Sequence, residues 1–119
     1  MRILLIDDDA EIRFLAGFVL RQRGHDVVEA ASGAEALLLC VGEFDLLLVD
    51  VELGDARGDE LLPRLRERGC AAPAAYLTGT DDPAALARLD ATPAIGRIAK
   101  PFDAERLADQ VEALLPEGL

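Results

Sequence analysis

The feature that most constrains the fold is a repeated alternation of short apolar runs with longer amphipathic segments. Five runs have the length of a strand and little internal polarity: 2–6, 26–30, 45–49, 74–78 and 95–99. Continuous apolar strands that alternate with helices are typical of a parallel sheet covered by helices on both faces. Right-handed crossovers then join the strands. The sequence therefore predicts an α/β fold with a doubly wound, five-stranded parallel sheet.

Polar capping residues mark where the intervening helices begin. Asp9 and Ser32 precede the first two helices and Asp103 precedes the last one, each with a side chain that can accept from the first backbone N–H groups. Two further helices are expected, one over 58–68 and one from about residue 81. The last helix carries apolar side chains on one face: Leu107, Ala108, Val111, Leu114 and Leu115.

Composition and charge narrow the functional classes. Hydrophobic residues make up 51% of the 119 residues, which is enough to build the core of one domain. Twelve basic residues against 23 acidic ones give a net charge of −11, which argues against direct binding to nucleic acid or to an anionic membrane. No apolar run approaches the roughly 20 residues of a membrane span. No signal peptide follows Met1, so a cytoplasmic location is expected.

The two cysteines, Cys40 and Cys70, offer neither a metal-ligand spacing nor a disulfide framework. In a cytosolic chain the usual interpretation is two separate, inert thiols. We therefore expect each of them to pack near a helix end as a small apolar residue.

Polar residues stand at the ends of four strands, at the edge where open parallel sheets bind ligands. Asp7 and Asp8 follow the first strand, Asp50 the third and Lys100 the fifth, and Thr78 ends the fourth. Carboxylates that converge in a partly desolvated pocket repel one another, and a bound divalent cation relieves that repulsion. Mg²⁺ suits such a site, because it binds one or two carboxylates together with waters and a phosphate. An oxygen of Asp50 could then attack phosphorus, while the hydroxyl and the ammonium hold the phosphoryl oxygens.

Lys100 is the only lysine among the twelve basic residues. A lone lysine is ordinarily a surface charge. In this chain every other basic residue is arginine, and the lysine stands before a proline at a strand end. This position indicates that the site requires a compact ammonium group.

Five motifs occur in order along the chain: Ile-Asp-Asp-Asp at 6–9, Asp-Leu-Leu-Leu-Val-Asp at 45–50, Leu-Gly-Asp with a later glycine at 53–58, Leu-Thr at 77–78 and Lys-Pro-Phe at 100–102. In this combination the chain resembles the receiver domains of two-component response regulators, including the single-domain chemotaxis type, over essentially its whole length. The resemblance implies a flavodoxin-like (βα)5 fold with strand order 2-1-3-4-5. All 119 residues would form one receiver domain with no output domain.

The resemblance also implies a role for each motif residue. Asp50 is expected to accept a phosphoryl group from a histidine kinase or phosphotransfer protein. Thr78 and Lys100 would hold that phosphoryl group. A downstream effector or output domain would then bind differently to the phosphorylated chain. Asp8 is the more direct metal ligand of the acidic pair, and the Lys100–Pro101 peptide bond is expected to be cis. The implied Mg²⁺ ligands are Asp7, Asp8, Asp50 and the backbone carbonyl of Glu52.

The chain departs from the family pattern at the switch position. Arg97 stands three residues before Lys100, where the family usually has an aromatic residue, and Gly54 stands where proline is common. We expect Arg97 on the outer edge of the fifth strand, facing an acidic partner, with activation driven mainly by the 79–83 loop. Tyr76 is expected in the core. A role as substitute for the missing aromatic is the alternative.

Two other functions fit part of the pattern. An Asp-nucleophile phosphohydrolase of the haloacid-dehalogenase kind also uses an aspartyl-phosphate and Mg²⁺, and Asp7 and Asp9 have its two-residue spacing. The chain is short for that class and has no cap insertion. A pseudo-receiver that only binds a partner would not need the complete acidic site. A receiver is a stoichiometric acceptor with self-catalysed phosphotransfer and autodephosphorylation, so turnover of small phosphate esters would separate it from the phosphohydrolase.

Overall fold

The computed structural model describes residues 1–114 as a five-stranded sheet with helices on both faces. The strands are β1 (Arg2–Ile6), β2 (Asp26–Ala30), β3 (Leu46–Asp50), β4 (Ala74–Thr78) and β5 (Gly96–Ala99). The helices are α1 (Ala10–Gln22), α2 (Gly33–Leu39), α3 (Gly58–Glu67), α4 (Pro83–Asp90) and α5 (Ala104–Leu114). All strand pairs are parallel and their order is β2-β1-β3-β4-β5, which confirms the predicted fold class.

Two apolar layers cover the two faces of the sheet. On the side of α2, α3 and α4, the buried strand residues include Leu4, Ile6, Leu47, Val49 and Tyr76. On the side of α1 and α5, they include Ile3, Leu5, Leu46, Leu48 and Leu77. Since β3 and β4 are buried at every position, their sequences show no polar alternation. Within residues 1–114, every helix is too short or too polar to cross a membrane.

The predicted capping residues begin their helices. The Asp9 side chain accepts from the backbone N–H of Glu11 at 2.9 Å, and the Ser32 side chain accepts from that of Glu35 at 3.0 Å. The predicted apolar face of α5 is buried at Leu107, Ala108 and Val111. Leu115, which was expected on the same face, lies outside the described residues.

Gly58 lets α3 begin against the end of β3. A Cβ atom at this position would lie 2.6 Å from the backbone oxygen of Asp50, which is closer than any side chain tolerates. The backbone N–H of Gly58 also donates to the carbonyl of Val51 at 2.8 Å. A glycine is therefore required for α3 to pack beside Asp50.

The prediction of two separate thiols is wrong, because Cys40 and Cys70 form a disulfide. Their Cα atoms are 6.0 Å apart, a separation typical of disulfides. Cys40 follows α2 and Cys70 lies between α3 and β4, and the two helices pack against each other. The thirty-residue spacing gave no sign of this pairing, since it depends on which connections become neighbours at one edge of the sheet.

Candidate functional site

Three aspartates and the only lysine meet at the carboxyl ends of β1, β3 and β5. Asp7, Asp8 and Asp50 each place a carboxylate oxygen within 4.8 Å of the others. Asp7 is fully buried and Asp50 is 5% exposed, whereas Asp8 faces solvent. The Nζ atom of Lys100 lies 2.7 Å from Oδ2 of Asp7 and 3.2 Å from Oδ1 of Asp50. The fold thus brings together four of the residues that the sequence singled out.

Burial and crowding of charge set the protonation of the site. Burial, followed by the negative charge of Asp7, raises the pKa of Asp50 to about 6, against the opposing effect of Lys100. Burial alone would lower the pKa of Lys100, but its hydrogen bond to Asp7 and the charge of Asp50 outweigh this effect and raise it. Lys100 therefore remains an ammonium and compensates only part of the acidic charge. A cation at the site would favour the ionised form of Asp50.

A cleft of about 570 Å³ opens above the acidic cluster and has room for a hydrated cation and a phosphoryl group. Glu52 lines this cleft, and its backbone N–H donates to Oδ1 of Asp50 at 3.2 Å. That hydrogen bond places the Glu52 peptide beside the carboxylates. Within residues 1–114, no hydrogen bond engages Oδ2 of Asp50, so this oxygen is available for other chemistry.

The end of β4 and the loop that follows it contribute one threonine each, in different ways. Thr78 is buried at the end of β4, and its Oγ1 accepts from the backbone N–H of Thr80 at 3.2 Å. Among the described residues Thr80 lines the cleft and Thr78 does not. Sequence reasoning gave a role to Thr78 and none to Thr80. The only signal for it was a second hydroxyl two residues after the motif threonine.

Around β5, the structure agrees with two expectations. The Lys100–Pro101 peptide bond is cis. The side chain of Arg97 is 38% exposed, and its Nη1 lies 3.5 Å from Oδ1 of Asp90 at the end of α4. Tyr76 is 1% exposed and belongs to the core, directly across from Arg97 in the β4–β5 register. No aromatic ring therefore lies at the usual switch position.

Residues 3–112 match the family model of the response regulator receiver domain. The chain is 33% identical over 116 residues to the sensor kinase CckA of Brucella abortus, covering 95% of this chain and 12% of that protein. It is 29% identical over 116 residues to sporulation initiation phosphotransferase F of Bacillus subtilis, covering 97% of this chain and 94% of that protein. Of two larger relatives, it spans 45% of the transcriptional regulatory protein TrcR of Mycobacterium tuberculosis and 17% of the autoinducer sensor kinase/phosphatase CqsS of Vibrio cholerae.

Solved structures show the same fold over the whole described sheet. The chemotaxis response regulator CheY4 of Vibrio cholerae has a TM-score of 0.88 and 29% identity, covering 96% of this chain and 98% of that one. The receiver domain of the hybrid histidine kinase CckA has a TM-score of 0.79 and 33% identity, covering 98% of this chain and 100% of that one. The family model, the strand order and the sequence similarity agree across β1 to α5. The chain therefore belongs to the receiver domains of two-component response regulators.

Proposed function

We propose that this receiver domain accepts a phosphoryl group on Asp50 from a histidine kinase or phosphotransfer protein and then changes its binding to a downstream effector or output domain. The observation that carries the proposal is the contact of Lys100 with both Asp7 and Asp50 inside an acidic cluster. An ammonium held there can neutralise a phosphoryl oxygen next to the attacked phosphorus. Relatives that include sensor kinases and regulators support partners of this kind.

We further propose that Mg²⁺ binds at this cluster. Three carboxylate oxygens within 4.8 Å of one another match the hard oxygen ligands that Mg²⁺ prefers. Asp7 already contacts Lys100, so the exposed Asp8 offers the freer oxygen. Asp50 and the backbone carbonyl of Glu52 would complete the protein ligands. When bound, the cation would neutralise charge on the transferred phosphoryl group.

In the transfer step, an ionised oxygen of Asp50 attacks phosphorus and the bond from phosphorus to the donor breaks. With a pKa of about 6, Asp50 is mostly ionised at neutral pH. Lys100 holds one phosphoryl oxygen. The O–H of Thr78 would donate to another phosphoryl oxygen. Because Thr78 does not line the cleft, this contact would require the 79–83 loop to move.

The geometry favours a receiver over the phosphohydrolase alternative. In that alternative Asp7 would be the nucleophile, but Asp7 is fully buried and lies 2.7 Å from Lys100. Asp50 is the carboxylate with an unengaged oxygen beside the cleft. We therefore assign the chain, residues 1–119, as one stoichiometric acceptor module. A cytoplasmic location stays a prediction from the sequence.

The test is incubation with acetyl phosphate and Mg²⁺ followed by intact mass measurement. The wild-type chain is expected to gain one phosphoryl group, and Asp50→Asn is expected to gain none. Asp45→Asn is the matched control, because Asp45 immediately precedes β3 and its side chain accepts from the backbone N–H of Arg2, at the opposite end of the strand from Asp50. Full labelling of Asp50→Asn would contradict the assignment, and steady turnover of p-nitrophenyl phosphate would favour the enzyme instead.

A further inference from the structure

The loop between β3 and α3, residues 51–58, is folded as a small hairpin next to the acidic cluster. Glu52 and Arg57 form an antiparallel bridge across it. Leu53 and Ala56 exchange backbone hydrogen bonds of 3.0 and 3.4 Å inside it. The hairpin presents Glu52 to the cleft, so its position sets where the Glu52 backbone carbonyl lies.

Asp55, near the tip of this hairpin, attaches the loop to another element. Its Oδ1 accepts from the backbone N–H of Gly33 at 2.9 Å, and its Oδ2 accepts from that of Ala34 at 3.0 Å. These are the first two residues of α2, whose N–H groups have no partner within the helix. The two bonds, first that from Gly33 and then that from Ala34, lower the pKa of Asp55. The carboxylate is therefore charged and engaged at both oxygens.

A separate residue already caps the same helix. Ser32 accepts from the backbone N–H of Glu35 at 3.0 Å, which is the ordinary local cap. Asp55 comes from more than twenty residues away, so it adds a connection between the loop and α2 that the local cap does not make. The neighbouring Gly54 lies close to the cluster, because a Cβ atom there would be 3.9 Å from Oδ2 of Asp8. Movement of the loop would therefore disturb the acidic site directly.

We propose that Asp55 is a positioning residue, which holds the 51–58 loop on the N-terminus of α2. It thereby keeps the Glu52 peptide, which hydrogen-bonds Asp50, in place for its carbonyl to serve as a Mg²⁺ ligand. The inference rests on the proposed function, because it is that function which places Mg²⁺ at the cluster. Asp55 itself makes no contact with the cation. Its carboxylate accepts hydrogen bonds from two backbone N–H groups of α2. It therefore does not add a further negative charge to the acidic cluster.

The experiment compares Asp55→Ala with Ser32→Ala, which removes the local cap of the same helix but leaves the loop attached. Isothermal titration calorimetry with MgCl₂ measures the Kd, and amide hydrogen exchange in metal-free buffer measures protection of the Leu53 N–H. Asp55→Ala is expected to weaken Mg²⁺ binding by up to about tenfold, the lower end of the loss seen when a group that hydrogen-bonds a metal ligand is removed, because Asp55 acts one step further out. It is also expected to speed exchange at Leu53. Ser32→Ala is expected to lower the melting temperature without changing either readout. Asp55→Asn, which keeps one acceptor oxygen, is expected to lie between Asp55→Ala and the wild type.

Equal losses of Mg²⁺ affinity in Asp55→Ala and Ser32→Ala would overturn the proposal, because the effect would then come from the stability of α2. Unchanged protection of Leu53 in Asp55→Ala would overturn it as well. A wild-type chain with no affinity for Mg²⁺ would remove the metal site and with it the role of Asp55. Mg²⁺ binding without phosphorylation would contradict the proposed function alone.

Discussion

Asp50 holds its charge against burial and against the neighbouring Asp7, with Lys100 and the backbone N–H of Glu52 in its favour. The pKa of Asp50 is raised from its ordinary value of 3.8 to about 6, so the folded chain binds this proton more tightly than the unfolded chain does. Without a metal, the contribution of Asp50 to stability is therefore lost as the pH rises from about 4 to about 6, and it stays lost above that. In the proposed function, the ionised carboxylate of Asp50 attacks phosphorus. That function would use the form of Asp50 in which the fold is less stable.

Asp50→Asn is expected to stabilise the metal-free chain near neutral pH, because it removes a charge that burial disfavours. The gain in the free energy of unfolding is at most about 3 kcal/mol, from a pKa shift of about two units. The gain is expected to vanish near pH 3, at which Asp50 is largely protonated whether folded or unfolded. Urea unfolding in EDTA at both pH values measures it. A gain of equal size at both values would show that the charge of Asp50 is not its cause.

Asp8→Ala is expected to remove most of the stabilisation that Mg²⁺ gives to the folded chain. A cation that binds only the folded state stabilises it by about 2.7 kcal/mol at a concentration of 100 Kd. Thermal melts with and without millimolar MgCl₂ measure the effect. Asp9→Ala is the matched control, since Asp9 caps α1 and its loss lowers stability without removing a member of the cluster. If Asp8→Ala and the wild type respond to Mg²⁺ alike, Asp8 is not a ligand.

Among the elements, β5 and α4 are connected by an ion pair at the surface. No aromatic side chain at position 97 packs between them. Arg97 on β5 reaches Asp90 at the C-terminal end of α4, and the pair is partly exposed. Across the β4–β5 register, Tyr76 occupies the interior instead. We expect Arg97 to exchange Asp90 for an acidic group of a partner. Its position separates it from the proposed phosphorylation site at the carboxyl ends of the strands.

Arg97→Ala is expected to leave the rate of phosphorylation by acetyl phosphate unchanged and to weaken effector binding by the phosphorylated chain. Loss of one exposed ion pair predicts a weakening of up to about fivefold. Mass measurement over time gives the rate, and titration with the effector gives the affinity. Arg106→Ala, which removes another exposed arginine, on α5, is the control. A lost rate with unchanged affinity would place Arg97 in the site instead.

Across the whole molecule, the disulfide lies near the N-terminal ends of the strands, whereas the acidic cluster lies at their carboxyl ends. Cys40 and Cys70 stand in connections that lead into strands, whereas Asp50 ends β3 and Lys100 follows β5. The disulfide closes a long segment that contains β3 and α3. It therefore restrains the unfolded chain without contacting the site.

Reduction of the disulfide is expected to lower the free energy of unfolding by about 3 kcal/mol, from the entropy of the closed loop. The phosphorylation rate is expected to stay the same, because the acidic cluster lies at the opposite ends of the strands from the disulfide. Urea unfolding with and without dithiothreitol measures the first effect. A thiol assay under denaturing conditions provides the check, and it is expected to find no free thiol in the oxidised protein. Two reactive thiols in that sample would contradict the pairing.

The sheet, its helices and most of the candidate site were predictable from the order of residues along the chain. Apolar runs of strand length and capping side chains act on near neighbours, so they indicate strands and helix starts without knowledge of the rest. Parallel strands then bring their carboxyl ends to one edge, which is why Asp7, Asp50 and Lys100 could be expected to meet. The structure placed them there.

The cysteine pairing, the attachment of Asp55 to α2 and the place of Thr80 in the cleft were not predictable in this way. Each depends on which loops and helix ends become neighbours after the helices pack, and their residues are far apart in sequence or lie in irregular segments. The raised pKa of Asp50 is of the same kind, because burial and the distance to Asp7 exist only in the folded chain. Local pattern specifies the elements and their order, whereas contacts between connections and the electrostatics of the site arise only when those elements pack.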